Sequence, residues 1–251
     1  RDLDTTRDLQ IGNAYMQTRT FDGAIDDVRV YNRALSADEI KKLYGLGSVK
    51  VQTSQESKVK DNLVGYWSFN APDMWWPTNT ALDRSGQGNN GTLYNLSTSS
   101  SPVIGKLGQG LKFDGANDAA SINSSGSLTL SSAGTISAWV KYNTANPDQG
   151  DRIVTHGQAN DFWIGIRANA TYNIAALLYD GGNKVADSGI TPEANVWYHV
   201  AATFDSSSLY VYVNGAQSSP TSAGAINYES QDARTIIGAY GGLDGGFTDG
   251  L

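Results

Sequence analysis

Residues 21–45 read Phe21-Asp22-Gly23-Ala24-Ile25-Asp26-Asp27-Val28-Arg29-Val30-Tyr31-Asn32-Arg33-Ala34-Leu35-Ser36-Ala37-Asp38-Glu39-Ile40-Lys41-Lys42-Leu43-Tyr44-Gly45. They set a turn, a strand and a helix in close succession. The turn is Phe21-Asp22-Gly23, and the β-branched and aromatic residues of Ile25 to Tyr31 predict the strand. Ser36 and Glu39 form a capping box ahead of Ile40, Leu43 and Tyr44, and Gly45 or Gly47 supplies the stop. This helix, near residues 37–44, is the only one the sequence supports. Just upstream, Gln10-Ile11-Gly12 predicts another short strand.

Residues 48–61, SVKVQTSQESKVKD, are polar and lysine-bearing and read as a linker. Beyond it strand signals recur: Leu63 to Phe69, Gly110 to Asp114, Thr135 to Tyr142, Phe162 to Arg167, Ile174 to Tyr179, Trp197 to Phe204, Leu209 to Val213 and Thr235 to Ala239. In Leu209-Tyr210-Val211-Tyr212-Val213 aliphatics and tyrosines alternate, ahead of an Asn214-Gly215 hairpin pair. The spacing predicts an all-β sandwich of two antiparallel sheets.

Composition narrows the functional classes. The net charge is −7; residues 1–60 carry +1 and the remainder −8. Without a basic patch, such a surface opposes nucleic acid and anionic membranes. Cysteine is absent, which removes disulfides, thiolate metal sites and cysteine nucleophiles. No apolar run is long enough for a membrane span, and with Arg1 in place of Met the start reads as processed, trimmed or excised.

The phrases LVGYWSF (63–69), LDRSGQGNNGTL (82–93), GKLGQGLKFDGAND (105–118), TISAWVKY (135–142), NVWYHVAATFD (195–205) and LYVYVNG (209–215) stand in the order of laminin-G-like, concanavalin-A-like modules, and the chain resembles that family. The resemblance implies a jelly-roll β-sandwich. In the family, FDGAIDDVRVYNRALSADEIKKLYG is the closing phrase; here it stands first. Residues 1–47 therefore resemble the closing strands and helix of one module, and residues 62–251 a module lacking its last strand. In addition, Ile11 to Gly23 resembles Ile237 to Gly250, with Gly12 matching Gly238 and Asp22 matching Asp249, an offset of about one module.

A sheet missing a strand recruits one. Ile25, Val28, Val30, Tyr31, Leu35, Ile40 and Leu43 are the expected assembly residues, closing their own chain, a neighbouring copy, or a preceding module in a tandem array. The duplication counts against self-closure, because two copies of one strand cannot fill one slot.

For ligands, the resemblance implies a structural calcium between the Asp83 loop and the closing strand, with Asp83, Asn90, Asp26 and Asp27 as candidates. The simpler reading is that Asp83 forms an Asx-turn while Asp26 and Asp27 pair with Arg29 or Arg33. Asp114, Asn117 and Asp118 read as a turn, and Asp148, Asp151 and Asp161 as loop charges. Trp75 and Trp76, between Pro72 and Pro77, are candidate sugar-stacking residues or a plug over the sandwich end, whereas Trp67, Trp139 and Trp197 read as core. His156 and His199 lack metal-spaced partners, and no hydrolase, zinc or phosphate-loop motif occurs. An ExDxxE strand, used by some enzymes of this superfamily, is also absent, so no catalytic residue is expected. Asn90, Asn95, Asn123 and Asn169 begin glycosylation sequons. These features predict a non-catalytic extracellular adhesion or assembly module joined to copies of itself by strand donation or in tandem. The alternative is a carbohydrate-binding module of a larger secreted protein.

Overall fold

Along most strands, core-facing and outward side chains alternate with a period of two, which lets two sheets share one apolar layer. The computed structural model describes residues 9–13, 20–47, 60–144, 151–156, 162–166 and 172–226. Within them lie β1 (Leu9–Ile11), β2 (Asp22–Tyr31), α1 (Ala37–Leu46), β3 (Leu63–Trp67), β4 (Met74–Trp75), β5 (Thr80–Ala81), β6 (Gly91–Tyr94), β7 (Pro102–Ile104), β8 (Gln109–Asp114) and β9 (Ala119–Ile122). There follow β10 (Gly134–Tyr142), β11 (Arg152–His156), β12 (Phe162–Ile166), β13 (Ile174–Tyr179), β14 (Asn183–Asp187), β15 (Trp197–Phe204), β16 (Ser208–Val213), β17 (Ala216–Gln217) and β18 (Thr221–Ser222).

One sheet runs β14-β13-β12-β11-β1-β9-β6-β5-β4. The other runs β17-β16-β15-β10-β2-β8-β7, with β18 on β16 and β3 on β2. The strand pairs within both sheets are antiparallel. The expected jelly-roll sandwich is present. The Asn214-Gly215 turn has both residues at positive φ (51° and 77°), as a two-residue hairpin requires.

The N-terminal segment belongs to both sheets. β1 lies between β9 and β11, and β2 lies between β10 on one side and β8 and β3 on the other. Where the sequence favours closure by another module, this single chain closes with its own segment. Among the described residues the slot is filled by parts of the first copy of the duplicated stretch; residues 237–250 lie outside them. Two glycines show why the stretch reads as it does. Gly12, at φ +80°, lies so close to the Phe113 ring that a Cβ would sit 2.2 Å from it. At Gly23 a Cβ would sit 2.2 Å from the Lys141 carbonyl oxygen.

Ile25, Val28 and Val30 of β2 point into the layer between the sheets at 0% exposure. Together they contribute on the order of 6 kcal/mol by burial. Tyr31, Leu35, Ile40 and Leu43 instead form a second apolar cluster on the opposite side of the same sheet, with Ala201 and Tyr212, and this cluster seats α1. The helix begins as read: the Glu39 amide donates to Ser36 Oγ (3.3 Å), and the Ser36 amide to Glu39 Oε2 (2.9 Å). Arg33 grips Glu39 with two bonds, 3.0 and 2.7 Å, which holds that carboxyl down to about 2. Of the two glycines offered as the stop, Gly47 is the cap.

Candidate functional site

The four calcium candidates do not share a coordination shell. Asp83 Oδ1 accepts the amides of Tyr66 (2.9 Å) and Ser85 (2.8 Å); Oδ2 accepts Ser85 Oγ (2.7 Å) and the Asn89 amide (2.9 Å). Asn90 Oδ1 accepts the Asp83 amide (2.9 Å). Asp27 pairs with Arg29 at 3.1 Å, while Asp26 Oδ2 accepts the Leu107 amide at 2.7 Å. Asp83 and Asp26 Oδ2 tie loops to strands, and among the described residues no group of three acidic or histidine side chains is placed to hold a metal. In this arrangement Asp83, Asn90 and Asp27 bond the chain's own donors. The Asx-turn reading of Asp83 and the Asp27 to Arg29 pair match what is seen. Asp114 likewise organises its turn, accepting the Ala116 amide at 2.8 Å. Asp148, Asp161 and Asn169 lie outside the described residues, and Asp151 is buried.

The outer face of the β2 sheet is covered. Across it Asp26, Trp139 and His199 stand opposite one another on β2, β10 and β15, under Tyr44 of α1. Tyr44 lies 5.7 Å from Trp139, Trp139 lies 5.2 Å from His199, and the Lys106 ammonium sits 4.9 Å over the Trp139 ring. Burial pushes the Asp26 carboxyl up to about 7 against the opposing pull of the Leu107 amide, and burial drives His199 down to about 3. Among the described residues, Asp26 Oδ1, Trp139 Nε1 and His199 Nδ1 have no hydrogen-bond partner. Arg29 is stacked over Tyr66 at 4.6 Å. This is a shielded layer whose parts fix α1 and the Gly105 to Gly108 loop.

The β4 to β1 part of the outer face of the β1 sheet is different, whereas beyond Gln10 that face continues into buried Thr155 and Trp163, the latter under the Arg152 guanidinium at 3.5 Å. Trp75 and Trp76 go separate ways: Trp75 is 57% exposed on edge strand β4, whereas Trp76 is half-buried and packs against the core. They therefore do not present two exposed rings side by side. The second exposed aromatic is Tyr94 on β6, at 48%. Between and beyond them runs a directly paired row, Trp75 opposite Thr80, Thr80 opposite Thr92, Thr92 opposite Ser121, and Ser121 opposite Gln10. The intervening residues Met74, Ala81, Leu93, Ala120 and Ile11 face the core. Tyr94, Thr80, Thr92, Ser121 and Gln10 were not singled out by sequence. The alternation in Gly91-Thr92-Leu93-Tyr94 was the available signal, but it follows a Gly/Asn loop and overlaps a sequon, which masks it as turn chemistry.

Of the tryptophans read as core, Trp67 is in the core and donates to the Asn89 carbonyl (2.9 Å). Trp139 is buried under α1 instead. Trp197 is half-buried on the outer face, beneath the Lys141 ammonium at 5.4 Å. His156 serves packing, with Nε2 2.6 Å from the Leu128 carbonyl.

Two antiparallel sheets, a capped helix over one of them and one bare aromatic face define a jelly-roll sandwich of lectin-like build. A family model described as the concanavalin A-like lectin/glucanases superfamily, of laminin G type, matches residues 1–41 and 114–251, more than half of the chain. The chain belongs to that family. The described parts of both matched stretches lie in the same sandwich. Searches of curated proteins and of solved structures give no match.

Proposed function

We propose that this chain is a non-catalytic, extracellular adhesion module of laminin G type whose N-terminal segment is an exchangeable closing piece, so that copies join head-to-tail or stand in tandem. The observation that supports it is the place of residues 9–46: they supply an interior strand to each sheet and the helix over one of them. They join the remainder only through a polar stretch that sequence reads as a linker. A segment that closes its own sandwich through backbone ladders closes an identical neighbour by the same ladders, which is the logic of domain exchange. The absence of cysteine makes the test clean. Gln10 and Ser121 are direct partners across β1 and β9, so a Gln10→Cys/Ser121→Cys variant, refolded at high protein concentration and oxidised, should give a ladder of covalent multimers on a non-reducing gel. A single intrachain band at every concentration would restrict closure to the chain itself and end the head-to-tail reading.

A second reading, glycan binding, is favoured by the bare aromatic face, which carries no carboxylate in its paired row.

A further inference from the structure

We infer that Trp75, Tyr94 and the hydroxyl row between β4 and β1 form a binding platform for a neutral polysaccharide, lying across the strands on the outer face of the sheet. The inference deepens the glycan-binding reading and is independent of head-to-tail assembly.

Four large apolar side chains are notably exposed among the described residues: Trp75, Tyr94, Ile104 and Val196. Both aromatics among them sit on this one face. Strand spacing and residue rise put their Cα atoms roughly 12 Å apart, two strands over and two residues along. That separation lets one extended polymer touch both rings. Aromatic rings present an electron-rich face that attracts the slightly positive C–H edges of a sugar ring. The residues between are hydroxyls and an amide: Thr80, Thr92, Ser121 and Gln10, one per strand, in register. Such groups donate to and accept from a polyol. They offer no aliphatic surface of the kind that forms the centre of a protein interface. No charged side chain enters the row, and the chain as a whole is acidic (−7), which disfavours polyanionic glycans.

The platform is also held rigid, which lowers the ordering cost of binding. Arg84 bonds Asp73, directly ahead of β4, through Nε at 2.6 Å. The Leu82 amide donates to the Asp73 carbonyl (2.8 Å), and the Leu93 amide to the Asn79 carbonyl (2.7 Å). Trp76, turned inward against the core, anchors the chain directly after Trp75 of β4.

The test is affinity electrophoresis of the full chain through gels containing, in turn, xyloglucan, arabinoxylan, galactomannan, a soluble β-1,3-glucan and polygalacturonate. At least one neutral polymer should retard the wild type, polygalacturonate should not, and Trp75→Ala/Tyr94→Ala should weaken that retardation roughly tenfold or more. The double variant should keep the wild-type urea midpoint, so the loss is not one of folding. Thr92→Asp, which adds charge without removing a ring, should weaken binding as well. Retardation by none of the neutral polymers, retardation by polygalacturonate alone, or unchanged retardation of the double variant would overturn the proposal. Self-association lost in the double variant, with no polymer bound, would assign the face to a protein contact instead. Because closure is read separately by the cysteine pair, failure here leaves the assembly reading standing, and the reverse.

Discussion

The two outer faces of this sandwich are built from the same alternating strands but have opposite fates. Over the β2 sheet, α1 and the Gly105 to Gly108 loop cover a layer of large and ionisable groups, with Asp26, Trp139 and His199 each at 2% exposure or less. Over the β4 to β1 part of the other sheet, the outward groups are small, hydroxylated and wet, apart from Trp75 and Tyr94. Ionisable groups alone therefore do not locate a site: here the shifted ones hold the structure together. The unshielded neutral row is where a ligand has room. Burial perturbs pKa values wherever it occurs, so perturbation without access points to packing.

The largest expected loss lies between the sheets, at Gly12, and sets the scale against which the bare face is measured. Gly12→Val drives a side chain into Phe113 from a backbone at φ +80° and should cost about 4 kcal/mol, read from the urea midpoint. Thr92→Val on the bare face should stay within about 0.5 kcal/mol. A similar loss at both would mean that Thr92 is packed as closely as the interior position Gly12 and that its face is not bare.

A smaller effect, roughly 2 kcal/mol, should appear with pH. The folded Asp26 titrates near 7, above the unfolded 3.8, so the folded state holds a proton the unfolded state has lost. Its stabilising contribution is complete below about pH 4 and is lost as pH rises through 7. His199 runs the other way: the folded value near 3 lies below the unfolded 6.5, so its contribution is present above 6.5 and lost as pH falls towards 3. The two oppose each other between about pH 4 and 6.5, and the wild type alone should show little slope there. Comparison with Asp26→Asn separates them, because His199 is common to both proteins. The stability of wild type relative to Asp26→Asn should increase from pH 8 to pH 5; a constant difference would show that Asp26 does not hold its proton.

The smallest expected effect is that of chelation. Since the oxygens of Asp83, Asn90 and Asp27 are engaged by the chain's own donors, EDTA should leave the thermal midpoint unchanged. A drop restored by calcium would show that these loops rearrange around an ion.

The sandwich was legible in the sequence because strand alternation, the Asn214-Gly215 turn and the Ser36 to Glu39 box are local signals. The long strands β10, β13, β15 and β16 fall within a residue of where the sequence puts them. The two-residue strands β4 and β5 were not legible, since no periodicity can be seen over two residues. The opposite orientations of Trp75 and Trp76 follow from that: on β4 Trp75 faces away from the buried Met74, and at Trp76 the chain leaves the strand for a short helical turn over Trp76–Thr78. Which acids share a site also escaped the sequence, because Asp26 meets Leu107 across 81 positions. The closing slot shows the same limit. The duplicated segment was visible, but the partners of its first copy, β9, β10 and β11, were not.

Gln10 carries one more consequence. It stands in the hydroxyl row, yet it comes from the N-terminal piece that closes the sandwich, while its neighbour Ser121 comes from the body. A polymer lying across both would favour the seated state over the open one by mass action. At a hundred times its dissociation constant, such a ligand adds about 2.7 kcal/mol to closure. The closing piece would then be hardest to release where the module is attached to its polymer, so attachment and mechanical strength would rise together.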